Sequence, residues 1–414
     1  MASSTRVFLA RLARRVWFRA AVVSLAAVVF ALAAGLVESL LPWTPSVNLG
    51  QGAVDNLLQI LASSMLAVTT FSLTAMVTAY SSATTNATPR ATQLLVQDTT
   101  SQGVLSTFVG AFVFSLVGII ALSTGYYSDR GRTVLFFGTL VVIALVVVTL
   151  LRWIAHLAGF GRMSDVIDRV EEAATDAAVA FSRTPSLGGA TLSGPPQGHP
   201  VHASSAGYVT HVDMSALQHV AEDTGATIDV ESLPGRVADA GTALAFSSRE
   251  LPEDAVDAIR SAFTVEHHRT YEQDPRLGVI ALAEIASRAL SPSTNDPGTA
   301  IQVIGALQRV LTAALTGDRD PKVRFPQVRV RPLRLDDLLE DAVRPLARDG
   351  GGMVEVQIRL QKCLAALATA APAHRAVLQR FADDACRRST RVLAPEDADA
   401  LRAARDEVWA HRDH

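Results

Sequence analysis

The chain has 414 residues, of which 49% are apolar and only 19% charged, with a formal net charge of −3. A soluble chain usually carries about a quarter charged residues, and here the deficit lies entirely at the front: residues 1–160 hold nine Arg, no Lys and four acids, while residues 161–414 hold 28 basic and 36 acidic residues. Two cysteines, Cys363 and Cys386, exclude a disulfide scaffold, and an acidic C-terminal part without a basic stripe argues against a nucleic-acid partner.

Four uncharged stretches can each cross a bilayer, which takes ~20 helical residues. They lie between Arg19 and Glu38, Asp55 and Arg90, Asp98 and Asp129, and Arg132 and Arg152. The predicted helices run near 17–41, 53–81, 101–124 and 133–159, and form an α-helical membrane domain of four transmembrane helices over residues 1–160. The first apolar run is longer than a signal-peptide core of about 7–15 residues and three spans follow it, so it reads as a retained helix. Arg6, Arg11, Arg14, Arg15 and Arg19 place the N-terminus in the cytoplasm, and the 42–52 connection, without a basic residue, outside. Arg90 keeps the 82–100 connection inside. Arg130 and Arg132 in the outer 125–132 turn are a mild exception, and Arg152, Arg162 and Arg169 return the chain to the cytoplasm. The expectation is a multi-pass protein of the plasma (inner) membrane with both termini cytoplasmic.

Small residues repeat every four positions at Ala27, Ala31 and Gly35 in the first span and at Ser106 and Gly110 in the third, a spacing that lets helix backbones approach closely. The second span carries Gln59, Ser63, Thr70, Thr74, Thr78 and Ser81 close to one face. That stripe could line a conduction path. The alternative, which weighs somewhat more, is that the hydroxyls bond their own helix or glue helices together. No acid lies deep in any span, which disfavours a carboxylate proton relay.

Beyond the fourth span, Val166, Ile167, Val170, Ala174 and Ala177 mark one face of an amphipathic helix, read as a stalk continuing the span, and residues 186–199 read as a Gly/Pro/Ser-rich linker. Together these make up residues 161–199. Residues 200–247 form a small β module, with strands expected at Gly207–Val212, Ala226–Val230, Arg236–Val237 and Thr242–Phe246 and a helix at Met214–Thr224. Its turns suggest a small barrel-sandwich, although the chain's only lysines, Lys322 and Lys362, offer no acylation arm. His199, His202, His211 and His219 fall here at irregular spacing and read as solvent-exposed side chains.

Residues 248–414 read as a mainly helical cytoplasmic domain, so that the cytoplasmic part as a whole is α+β. Its most distinctive segment is 266–299. His267, His268, Arg269, Thr270, Gln273, Asp274, Arg288, Ser291, Asn295 and Asp296 are candidates for a ligand site or for purely structural loop bonding. Arg269 could bind an anion, and His267, His268, Asp274, Glu284 and Asp296 are metal-ligand types, but no His pair at helical spacing supports a metal. The favoured reading is capping: Asp274-Pro275 and Asp296-Pro297 each set a carboxylate before a Pro at the first helical position. Glu284 and Arg288 form an i,i+4 pair. A strand at Lys322–Val330 and helices near 333–348, 353–370, 372–391 and 395–411 complete the chain.

The run Arg269-Thr270-Tyr271-Glu272-Gln273-Asp274-Pro275-Arg276-Leu277-Gly278, with Ser291-Pro292-Ser293-Thr294-Asn295-Asp296-Pro297, resembles the bacterial membrane proteins grouped as domain of unknown function 2254. So do Phe71-Ser72-Leu73, Thr88-Pro89-Arg90, Gly207-Tyr208-Val209 and Pro234-Gly235-Arg236-Val237, while Ala79–Asn86 departs from the pattern. The resemblance implies a four-span N-terminal domain with a cytoplasmic C-terminal domain, and brings no activity with it. On function, the leading expectation is a homo-oligomeric pore or transport-related protein gated by its cytoplasmic domain. A non-conducting scaffold or sensor that docks a cytosolic protein or small ligand is the alternative. A metal-assisted hydrolase ranks last, because no phosphate loop, Gly-x-Ser-x-Gly or zincin His pair is present. No cofactor is expected.

Overall fold

The computed structural model describes residues 16–37, 51–96, 98–317 and 322–410. Arg6, Arg11, Arg14 and Arg15, most of the 42–52 connection and the end of the first span as read lie outside the described residues. The chain divides into two units, Met1–Thr85 with Thr92–Asp165, and Asn86–Ala91 with Val166–His414.

In the first unit the long apolar helices are α1 (Val16–Val37), α2 (Gln51–Asn86), α4 (Thr99–Ser123) and α5 (Asp129–Leu157), with the short α3 (Pro89–Val96) where a plain connection is expected. Side chains start two of them: Asp98 accepts from Ser101 N at 2.7 Å, and Ser128 from Arg130 N at 3.2 Å and Gly131 N at 3.3 Å, supplying acceptors to first-turn donors. α1 packs on α4 and α5. The small residues are where the backbones meet: a Cβ on Gly110 would come within 2.7 Å of Val23 Cγ1, and Ala31 and Ser106 are buried. Trp153, 1% exposed, donates to Ser72 Oγ at 2.8 Å and joins α5 to α2.

Gly161, at φ +78°, ends the α5 direction before α6 (Met163–Arg183) begins, and a Cβ there would lie 2.8 Å from that of Ala79. The two helices are separate elements with a turn at 158–162 between them. The amphipathic face of α6 is buried as read, on Val166, Ile167, Val170, Ala174 and Ala177. Its packing lies within the second unit, where Gly278 of α9 (Pro275–Ala289) has no room for a Cβ over Ala174, and Arg309 of α10 (Pro297–Thr316) pairs with Glu171.

The second unit has two sheets in place of a barrel-sandwich. Five strands run in the order β1 (Gly189–Thr191), β8 (Phe325–Val330), β4 (Ile228–Val230), β6 (Ala243–Ser247) and β2 (His199–His202). The other three are β5 (Val237–Ala238), β3 (Gly207–Val212) and β7 (Phe263–Glu266), all antiparallel. β4 pairs in parallel with β8, which in turn pairs in parallel with β1. The expected module thus recruits β1 and part of β2 from the expected linker, β7, and a strand far downstream. Parallel neighbours need long crossovers, which local turn signals do not reveal. Asp229, 1% exposed, meets Arg329 in register and accepts two of its N–H groups at 2.6 and 2.8 Å. Between the strands, α7 (Met214–Thr224) and α8 (Glu253–Ser261) cover a core of Val209, Leu217, Ile228, Leu244 and Ile259.

The remaining helices pack on one another: α9 with α10 and with α11 (Leu335–Asp349), and α12 (Val354–Ala370) with α10, α13 (Arg375–Ser389) and α14 (Pro395–Ala410). Cys363 and Cys386 are free and buried here, and burial pushes the Cys363 thiol up to about 12, so it stays protonated and unreactive. Five described helices are long and apolar enough to cross a membrane: α1, α2, α4, α5 and α10. The fifth, α10, buries Val303, Ile304, Leu307 and Val310.

Candidate functional site

The second unit organises its most polar segment around Asp274. This carboxylate, 1% exposed, accepts from Arg276 N at 3.1 Å and Leu277 N at 3.2 Å, starting α9 as the Asp-Pro pair requires. Its other oxygen accepts from Arg269 Nε at 2.6 Å. Above the pair passes Gly235, at φ +91°: a Cβ there would lie 2.7 Å from Asp274 Cγ and 2.8 Å from Arg269 Nη2. Only glycine accepts both the backbone angle and the approach. Gln273 Oε1 accepts from Val212 N at 3.1 Å and ties the loop to β3.

Next to this pair stands the segment Asn86–Ala91, which belongs to the second unit. Thr88, 2% exposed, donates its hydroxyl to Glu284 Oε2 at 2.6 Å, and Arg90 forms an ion pair with the same carboxylate. Tyr271 donates to the Arg90 carbonyl at 3.2 Å. Burial first, and the Glu284 charge second, raise the Tyr271 hydroxyl pKa, so it remains a donor. Glu284 is thus engaged with residues 194 and 196 positions earlier. Arg288, its expected partner, is exposed.

Around Arg269 and Gly235 opens a cavity of about 290 Å³. Arg236, Arg269, Arg276, Arg331 and Arg334 line it, with Glu231 and Asp337, and Phe181, Leu233 and Leu333 supply apolar wall. Arg276 gives two N–H groups to Asp341 at 2.6 and 3.0 Å, which raises its already high pKa. Arg236 meets Glu231 at 3.0 Å. Arg331 reaches Glu231 only at 3.9 Å and Arg334 reaches Asp336 only at 3.8 Å.

Of the residues singled out in the sequence, Arg269 and Gln273 therefore line this cavity, Asp274 is buried behind them as the partner of Arg269, Thr270 is half-buried, and His267 and His268 are exposed. Ser291, Asn295 and Asp296 lie at the other end of α9, a helix about 22 Å long at 1.5 Å per residue, so the two loops do not converge. There Ser291 bonds the Arg288 carbonyl at 2.7 Å, and Asn295 takes a left-handed φ of +50°. Asp296 accepts from Thr299 Oγ1 at 2.6 Å and Thr299 N at 3.0 Å, and these bonds lower its pKa, the side-chain bond most. Among the described residues no group of three or more His, Cys, Asp or Glu is placed to hold a metal. Sequence reasoning missed Arg331 and Arg334. The available signal was the arginine density of Arg329-Val330-Arg331-Pro332-Leu333-Arg334 at a strand end.

In the first unit, Gln59, Ser63, Thr70, Thr74, Thr78 and Ser81 all stand exposed on the single chain. Ser63, Thr70, Thr74 and Thr78 donate to carbonyls four residues back at 2.9–3.0 Å, and Gln59 donates to Asp55 at 2.8 Å. A cluster not foreseen joins α4 and α5: His156 Nε2 lies 3.1 Å from Asp98 Oδ2 and 3.4 Å from Ser101 Oγ. One ring nitrogen faces both partners, which is not the relay a nucleophilic serine needs.

The family described as "Predicted membrane protein (DUF2254)" matches residues 13–366. The uncharacterised proteins Rv1290c of Mycobacterium tuberculosis and Mb1321c of Mycobacterium bovis are each 27% identical over 238 residues, covering 53% of this chain and 44% of their own. The chain thus spans under half the length of these curated relatives. No solved structure matches the chain at a significant level.

Proposed function

The chain belongs to the DUF2254 family of predicted membrane proteins, and we propose that it is a homo-oligomeric pore or transport-related protein regulated by its second unit. In this reading α1, α2, α4 and α5 cross the plasma membrane, α10 stays a core helix of the second unit, and both termini are cytoplasmic. The hydroxyl face of α2 lines the path between copies. The reading is supported by that face being exposed on the single chain although it is polar and lies within a candidate span, where polar groups are costly against lipid.

The observation that carries regulation is the grip on residues 86–91. The segment is covalently continuous with α2 and leads into α3, and Glu284, Thr88, Arg90 and Tyr271 hold it within the second unit. A change in the second unit that moves Glu284 would then act directly on the end of α2. Recording from purified full-length protein in planar bilayers tests this. We expect channel events whose open fraction changes with Glu284→Gln. Silence across voltage, tension and pH, with no central path in the assembled particle, contradicts it.

One observation favours the non-conducting sensor as a second reading: the α2 hydroxyls already satisfy themselves on their own helix. Such a sensor would keep the same grip on 86–91 and signal to a cytosolic partner instead.

A further inference from the structure

The cavity beside Arg269 has unmet hydrogen-bonding capacity of both signs. Arg331 and Arg334 each carry five N–H donors; Arg331 gives one to the Gly194 carbonyl at 3.4 Å, and the acidic neighbours of both stand beyond hydrogen-bond reach at 3.9 and 3.8 Å. Those neighbours are also already engaged, Glu231 by Arg236 and Asp336 by Arg380. Glu231 in turn has its Oε2 buried without a hydrogen-bond partner. Buried acceptors without donors are rare and costly, so this atom calls for an N–H or O–H. Leu233, Leu333 and Phe181 line the same cavity.

We propose that this cavity binds a nucleoside monophosphate or a close analogue. Its phosphate takes the donors of Arg331 and Arg334, an amino or hydroxyl group donates to the Glu231 carboxylate on the cavity wall, and its ring lies on the apolar wall. Guanidinium groups match phosphate oxygens two at a time, which lysine could not do as well. Asp337, also on the wall, offsets one positive charge and favours a ligand with hydroxyls over a bare polyanion. A volume of about 290 Å³ stands at the lower end of small-molecule sites, which suits one nucleotide. The site does not depend on conduction or on the grip at Glu284.

The test is binding of AMP, GMP and UMP, with adenosine and inorganic phosphate as controls, to the full chain in phosphatidylcholine nanodiscs, read by microscale thermophoresis. We expect at least one nucleotide to bind in the submillimolar range and adenosine and phosphate each to bind at least about 10-fold more weakly. Arg331→Glu with Arg334→Glu should weaken binding about 30-fold, the loss of two charged hydrogen-bonding groups. Arg334 is 72% exposed, so Arg334→Glu alone leaves the fold intact and should still cost about 5-fold. Glu231→Gln should change which nucleotide binds best. No binding by any of the three up to about 5 mM, inorganic phosphate binding as tightly as the nucleotides, or full affinity in Arg334→Glu would each overturn the proposal. Lost binding with intact channel activity would leave the pore reading standing, and the reverse would leave this one.

Discussion

The two Asp-Pro pairs at the starts of α9 and α10 carry the same local message and end in different surroundings. Asp274 is buried, bonded to Arg269 and closed over by Gly235, whereas Asp296 is exposed and bonds only to the turn that follows it. Each caps its helix, as a carboxylate before an N-terminal proline does. Only the first is also a tertiary joint. A capping motif therefore specifies where a helix starts, and the elements that come to rest on it decide whether it supports a site.

The largest effect should come from removing the buried carboxylate. Asp274→Ala loses a cap and leaves Arg269, only 17% exposed, without its partner, at a cost of about 3–4 kcal/mol. Pulse proteolysis of the full chain in nanodiscs would measure it. Gly235→Ala should cost about 2 kcal/mol, from a left-handed backbone angle and an overlap with the Asp274–Arg269 pair. Asp296→Ala should cost only ~1 kcal/mol, the value of an exposed cap. Equal costs for the two aspartates would break the comparison.

Acid sharpens the same contrast. The folded state lowers the Asp296 pKa, so its stabilisation is present above the unfolded carboxyl value of about 3.9 and fades as pH falls through the lowered folded value. The stability gap between the natural chain and Asp296→Asn should be constant above about pH 5 and close below it. The smallest effect is expected in the membrane unit. Thr74→Val removes a hydroxyl that serves only the Thr70 carbonyl, and thermal stability should change by less than about 0.5 kcal/mol. A large loss would mean that this face is packed against another copy.

Local chemistry made much of this molecule readable. The long uncharged runs become α1, α2, α4 and α5, Met214–Thr224 forms at the expected boundaries, and both aspartate caps form as their spacing demands. The small-residue repeat marks where Gly110 meets Val23. What stayed hidden depends on partners distant in the chain. β1 is three residues in a Gly/Pro/Ser-rich stretch and becomes a strand because β8 pairs with it. Glu284 looks paired with Arg288 one turn on, yet Arg90 and Thr88 win because they reach it from outside the helix. The arginine-lined cavity was half visible: Arg269 and Gln273 stand in a conspicuous motif, but nothing in the sequence joins them to Gly235, Arg331 and Arg334.

The central claim is that the second unit holds residues 86–91 through the Glu284 carboxylate, and exchanging the two charges tests it most directly. Hydrogen exchange of the 86–91 amides in nanodiscs should accelerate at least about 10-fold in Arg90→Glu and in Glu284→Arg, and slow again when both changes are combined. Protection that is the same in all four proteins, or a double variant no slower than the singles, would contradict it.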